Sequence, residues 1–264
     1  MNMRSQNQHD IGGRIAVVTG GGAGIGLGIV RVLAERGARV VMAERNASGE
    51  GVAETLRADR LDVRFVPCDV SDVQSIEKLF AYVEQQYGAI DGLVNNAGIT
   101  IHEDFLEVPL EHWQRQIDTN LRSTFLCSQH AARMMRPVQR GSIINISSNH
   151  AGASMEGFEC YAATKGGITS MTRAMAWSLG RYNIRVNSIS PGLTSTDHIR
   201  QLIRENAELG RLYHSLHATH RINASEDIGE LVAFLMSDAS IAMTGADLLA
   251  DNGLSAHLFN RHGN

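Results

Sequence analysis

A doubly wound α/β fold is what this sequence predicts: one seven-stranded parallel sheet with helices on both faces. Three observations predict it. Short apolar, β-branched runs alternate with helix-length segments along most of the chain. The runs are apolar almost throughout rather than at every second residue, which suits parallel strands buried on both faces. A glycine-rich turn stands between the first such run and the first helical pattern, at Thr19-Gly-Gly-Gly-Ala-Gly-Ile-Gly26.

The strands are expected at Ile15–Val18, Arg39–Met42, Val63–Val66, Gly92–Val94, Ser142–Ile146, Arg185–Ile189 and Asp247–Ala250. Helical periodicity falls between them at 24–36, 48–60, 72–87, 111–136, 159–181 and 226–237. Nothing in the chain repeats, and no linker divides it, so residues 1–264 read as a single domain. Residues 1–12 read as a flexible polar tail. The stretch 194–220 is polar, carries histidines and exceeds an ordinary connection, so it reads as a helical lid over a substrate.

Composition excludes several classes. With 24 Lys and Arg against 28 Asp and Glu the formal charge is −4, so no basic field exists to hold nucleic acid or an anionic membrane. One long stretch without a charged side chain, Gly141–Met155, is rich in Ser, Asn and Gly and unsuited to a bilayer. Met1–Asp10 lacks the apolar core of a secretory signal. Three scattered cysteines, Cys68, Cys127 and Cys160, suggest a reducing cytoplasm rather than a disulfide framework.

The glycine turn is the first functional signal. Gly20, Gly22, Gly24, Ile25 and Gly26 lie where strand passes to helix, so backbone can approach a pyrophosphate and the helix N-terminus can bind it. Glu44 follows Gly24 at the ~20-residue spacing of an acid that binds the adenosine ribose hydroxyls. An acid there repels a 2′-phosphate and favours NAD. The adjacent Arg45 could pair with that phosphate, which leaves NADP as the lesser alternative.

Tyr161-Ala-Ala-Thr-Lys165 sets Tyr and Lys on one helix face. An ammonium beside a phenol favours the phenolate, which can exchange a proton with an alcohol. Ser148 ends the fifth strand-like run, on the sheet edge where open α/β sheets bind ligands.

Taken together, these motifs resemble the short-chain dehydrogenase/reductase family, in its single-domain group of ~250 residues. The resemblance runs from about Gly13 to Gly253 and rests also on Asn95-Asn96-Ala97-Gly98, Asn120 and Pro191-Gly192. It implies that Tyr161 is the general acid/base and that Lys165 supports it and binds the nicotinamide ribose. Ser148 would hold the substrate oxygen, and Asn120 would anchor a water relaying protons from Lys165. Asp69 and Val70 would meet adenine. Asn96, Ala97 and Gly98 would line the cofactor channel, and Pro191, Gly192 and Thr194 would border the nicotinamide. Family members commonly form homotetramers through the segments 111–136 and 159–181. The sequence departs from the family's usual Asp-Gly-Gly at Asp251-Asn-Gly253, where Asn can still adopt positive φ.

The expected pocket wall is formed by Ile99–Glu103, Asn149 and His150, Glu156–Cys160 and Thr194–His198; it is polar, with Asn149, His150, Glu156 and Glu159 and few large aromatics. With Ser148 and Tyr161, His150 and Glu156 are the candidate substrate contacts. The chain therefore reads as an oxidoreductase moving hydride between NAD(H) and a small polar substrate, a sugar or polyol. The alternatives are an NADPH-dependent reductase of 3-oxoacyl thioesters or other ketones, and a non-catalytic dinucleotide sensor. No metal site is expected: His214, His217 and His220 would fan out on a solvated lid face, and no HExxH accompanies them. Glu103, Asp104, Glu107 and Glu111 read as an acidic surface, Cys160 as buried and inert, and Trp113 and Trp177 as packing residues. The tail from Leu254 carries an apolar Leu258-Phe259 pair that could reach a subunit contact.

Overall fold

The computed structural model describes residues 8–257. Seven strands form one parallel sheet in the order β3-β2-β1-β4-β5-β6-β7. They are β1 (Ile15–Thr19), β2 (Arg39–Glu44), β3 (Val63–Pro67), β4 (Gly92–Asn95), β5 (Gly141–Ile146), β6 (Ile184–Pro191) and β7 (Asp247–Ala250). Every expected strand is present, most extended by a residue or two.

Successive strand residues face opposite sides of the sheet, and both sides are covered. Val18, Val40, Val94 and Ile144 pack with Ile29 and Leu33 of α1 (Gly24–Glu35) and with Ile228 and Val232 of α9 (Ser225–Met236). Val17, Val41, Leu93 and Ile143 pack on the other side. There they meet Ile76 and Leu79 of α3 (Val73–Tyr87) and Ala131 and Met135 of α5 (Ser123–Met135). This double burial is why the strands read as unbroken apolar runs. The two helices α1 and α9 touch through backbone: a Cβ on Gly28 would lie 2.5 Å from Ser225 Cβ, and one on Gly229 would lie 2.8 Å from Val32 Cγ2.

The segment expected as one helix over 111–136 is interrupted. It comprises α4 (Leu110–Gln116), a π-helical turn at Ile117–Arg122 and then α5. A π turn accommodates one extra residue without breaking the run of helical backbone, so the apolar periodicity gives no warning of it. The remaining helices are α2 (Gly49–Ala58), α6 (Glu159–Gly180), α7 (Asp197–Glu205) and α8 (Ala207–Ser215).

Residues 8–12, expected within a flexible tail, are mostly exposed but anchored to the body of the fold. Ile11 is buried, Gln8 O accepts the Ala239 N–H at 2.9 Å, and the His9 ring centroid lies 6.5 Å from that of Phe234. Ile11 supplies the apolar surface that holds the segment against α1 and α9. The Leu258-Phe259 pair lies outside the described residues. The Asp251-Asn-Gly253 turn keeps its geometry, with φ of 53° at Asn252 and 81° at Gly253.

Candidate active site

A cavity of about 670 Å³ opens at the C-terminal edge of the strands, where the strand order reverses between β1 and β4. Its floor is the glycine turn. α1 starts at Gly24 behind Ala23, with no side-chain cap and no acid in its first turn. Its first N–H groups are therefore free for an anion. The turn is braced by Asn96, whose side-chain amide donates to Thr19 O and Gly20 O, both at 3.0 Å. Thr19 Oγ1 in turn accepts the N–H groups of Asn96 and Ala97, each at 3.1 Å.

Gly20, Gly24, Ile25 and Gly26 line the cavity, while Gly22 does not. The Gly22 N–H donates to Glu44 Oε2 at 3.3 Å, and Glu44 Oε1 accepts the Asn46 N–H at 3.0 Å. The carboxylate at the end of β2 is thus fixed at the cavity rim by two amides. Arg45 lines the same rim, 3.9 Å from Asp69 and with 64% of its side chain exposed. Asp69 and Val70 close that end together with Cys68. Burial pushes the Cys68 thiol up to about 11, which keeps it neutral.

At the other end, Ser148, Tyr161 and Lys165 line the cavity with Asn96, Ala97, Gly98, Pro191 and Gly192. The Lys165 ammonium stands 5.5 Å from the Tyr161 ring centroid and donates to Ile146 O at 2.9 Å. Lys165 is only 4% exposed, and among the described residues it forms no ion pair. An ammonium carries three donors, so this buried cation calls for acceptors that an occupant of the cavity must bring. The uncapped helix start, the rim carboxylate and the ammonium with donors to spare together fit a dinucleotide: phosphates, adenosine ribose and nicotinamide ribose.

Asn120 stands behind this wall. It is fully buried in the π turn, where Oδ1 accepts the Ile99 N–H at 2.8 Å and Nδ2 donates to Ile99 O at 2.9 Å. Nδ2 also bonds Thr164 Oγ1 at 3.2 Å. A Cβ added to Gly98 would lie 3.4 Å from Asn120 Oδ1 and 3.7 Å from Lys165 Nζ, in ordinary contact with both, so Gly98 sits where the two side chains meet.

His150 is not in the cavity lining but packs edge-on against Tyr161, with ring centroids 5.6 Å apart. Phe158 completes the cluster, tilted against His150 at 4.7 Å and edge-on to Tyr161 at 6.4 Å. Burial lowers the tendency of His150 to protonate, so its ring is a neutral wall beside the phenol. Glu156, expected as a substrate contact, is exposed and outside the cavity, as is Glu159, which accepts the Gly157 N–H. Both sit in or beside the loop before α6, where Phe158 is half-buried.

Thr194 is also withdrawn. It is buried, donates to Gly192 O at 3.1 Å and bridges to Asn223. The neighbouring Thr196, Asp197 and His198 line the cavity instead. The Thr196 side chain caps α7 by accepting the Ile199 N–H, and its methyl lies 3.2 Å from where a Gly24 Cβ would be. Ile99, Thr100, Thr119, Ile146 and Ser147 complete the lining. Ile99 and Thr100 belong to the stretch after Gly98 that was expected at the pocket, whereas Thr119, Ile146 and Ser147 had no signal beyond lying one or two residues from Asn120 or Ser148.

Other expectations change. His217 is not on a solvated face but 1% exposed, its Nδ1 bonded to Tyr213 O at 2.6 Å. Trp177 is 89% exposed on α6 rather than packed, and Cys160 is partly exposed. Glu103 is tied to His112 Nδ1 at 2.8 Å. Among the described residues no cluster of ligands could hold a metal, and no helix is long and apolar enough to cross a membrane.

The fold and this cavity define a Rossmann-type nucleotide-binding oxidoreductase. A family model described as enoyl-(acyl carrier protein) reductase matches residues 20–255. The chain is 33% identical to D-threitol dehydrogenase of Mycolicibacterium smegmatis, over 91% of this chain and 92% of that one. It is 34% identical to 3-oxoacyl-(acyl-carrier-protein) reductase of Pseudomonas aeruginosa, over 92% and 97%. A solved gluconate 5-dehydrogenase from Burkholderia cenocepacia, in complex with NADP and tartrate, superposes with a TM-score of 0.89. It shares 30% identity, covering 96% of this chain and 99% of that one. The chain belongs to the short-chain dehydrogenase/reductase family.

Proposed function

We propose that this protein is an NAD-dependent dehydrogenase of a small polar secondary alcohol, a sugar or polyol, with Tyr161 as general acid/base. The observation that carries the reading is the buried Lys165 ammonium beside the Tyr161 ring, with Ser148 in the same cavity. Bound NAD supplies a hydride acceptor at its nicotinamide ring. The chain's own residues do the rest. Ser148 and Tyr161 hold the alcohol oxygen. Tyr161 accepts the hydroxyl proton, and the Lys165 ammonium stabilises the negative phenolic oxygen. Asn120, behind Lys165, holds the Ile99 backbone and stations the proton path. The neutral His150 and Phe158 wall one side of the phenol.

NAD rather than NADP is favoured by Glu44, whose carboxylate is held at the rim by two N–H donors and would oppose a 2′-phosphate dianion. Arg45 is drawn toward Asp69. Steady-state assays with both cofactors on a panel of polyols, sugars and hydroxy acids test this. Efficiency with NAD is expected to exceed that with NADP by at least about tenfold, and Glu44→Ala to remove most of that preference, since ~1.4 kcal/mol of repulsion is tenfold. Stronger NADP use by the wild type would overturn the assignment. Oxidation of only apolar alcohols, or reduction of 3-oxoacyl thioesters in preference to any polyol, would overturn the substrate class.

The same reading has a single domain with residues 194–220 as its lid, acting in the cytoplasm. It also has a homotetramer built through α4–α5 and α6. Exposed Trp177 on α6 and half-exposed Phe125 on α5 supply apolar surface for that contact. Light scattering is expected to give four times the chain mass; a monomer at micromolar concentration would exclude it.

A further inference from the structure

The mechanism leaves one hydrogen-bonded chain unused. Ser148 Oγ accepts the His150 N–H at 3.2 Å and donates to Asn149 Oδ1 at 3.3 Å. Asn149 Nδ2 donates to Ser255 Oγ at 3.3 Å. The Ser255 N–H donates to Asp251 Oδ2 at 2.8 Å, and Asp251 Oδ1 accepts the Gly253 N–H at 3.0 Å. Asp251 is 4% exposed and lies against the cavity: a Cβ on Gly192 would fall 2.6 Å from Asp251 Cβ. The turn after β7 is therefore linked to Ser148 through one amide.

We infer that Asn149 and Ser255 are positioning residues that orient the Ser148 hydroxyl, so that the turn after β7 helps set the geometry of substrate binding. This rests on the function proposed above. The direction of the bonds gives the consequence. The alcohol's one hydroxyl proton goes to Tyr161, so Ser148 meets the substrate oxygen as a donor in either direction of the reaction. Its O–H turns from Asn149 Oδ1 to that oxygen, and the Asn149 acceptor together with the His150 N–H fixes the position from which it turns. Ser255 holds the Asn149 amide in the orientation that presents Oδ1. Asn149 does not present its amide to substrate as a pocket residue.

The test is a double-mutant cycle on kcat/KM for alcohol oxidation. Asn149→Ala is expected to lower it about tenfold and Ser255→Ala about threefold, the scale of one lost hydrogen bond. The dinucleotide Kd and the Tm should stay at wild-type values. Ser255→Thr, which keeps the hydroxyl, should restore activity. The decisive reading is coupling: Asn149→Ala added to Ser148→Ala should cost nothing further, because Asn149 acts only through Ser148. Full additivity of those two, or wild-type activity in Asn149→Ala while Ser148→Ala is impaired, would overturn the positioning role alone. Wild-type activity in Ser148→Ala, or no turnover by the wild-type chain, would overturn the proposed function and this inference with it.

Discussion

Tyr161→Phe is expected to lower kcat by about 10²–10⁴, the range that one positioned general acid/base contributes. The substitution removes a single oxygen. The ring stays, and with it the 5.5 Å approach of Lys165 and the edge contact with His150 at 5.6 Å. The helix α6 keeps its backbone and its buried face. Dinucleotide Kd, measured by nicotinamide fluorescence, and Tm should therefore match the wild type. Loss of turnover without loss of binding separates proton transfer from assembly of the cavity. Wild-type turnover in this variant would remove Tyr161 from the chemistry.

Gly26→Ala is expected to cost the protein its cofactor. A Cβ there would lie 2.0 Å from Gly20 O and 2.5 Å from Asn96 Nδ2. The first neighbour is backbone and the second is the brace of the same turn, so neither can yield without opening the loop. Overpacking of this kind costs about 1–3 kcal/mol in stability. The displaced turn should also weaken dinucleotide binding by more than about tenfold, since its N–H groups no longer converge. Gly51→Ala in α2 is the control: a Cβ there meets nothing within 4 Å, and the exchange should leave binding untouched and Tm unchanged or slightly raised. Calorimetry and dinucleotide titration of both variants check the pair.

Much of this was legible in the sequence, for identifiable reasons. The five inner strands, buried on both faces, leave short continuous apolar runs at regular spacing, and the edge strands β3 and β7 keep enough of that pattern for all seven to be found. The turn at Gly20–Gly26 and the Tyr161–Lys165 pair were found because their spacing is dictated locally, by one loop and one helical turn. What escaped is set by tertiary contact. The π turn at Ile117–Arg122 keeps a helical pattern of side chains, so the altered backbone around Asn120 leaves no trace in composition. Thr194 and Thr196 are equivalent as residues, and only the bridge to Asn223 decides which one turns inward. Glu156 is polar and adjacent to Tyr161 in sequence, yet the loop carries it outward. His217 has a partner in the carbonyl of Tyr213 that its spacing from other histidines could not reveal. The bond from Asn149 to Ser255 spans more than a hundred residues, beyond any local rule.

The position of β1 carries a consequence for how this chain comes into being. β1 is made first yet lies in the interior of the sheet, between β2 and β4. One edge can pair early with β2, but the other must wait until Gly92–Asn95 has been synthesised. The apolar side of α1 waits longer still, because its partner α9 begins at Ser225. Pairings this distant are slow to form and leave open edges and apolar surface in the interval. Later still, Ser255 can reach Asn149 only after all seven strands have been made. A truncated product lacking that final turn would carry Tyr161 and Lys165 but no anchor for Ser148. Chains interrupted before that turn would thus be impaired toward substrate and would present open strand edges and apolar surface to one another.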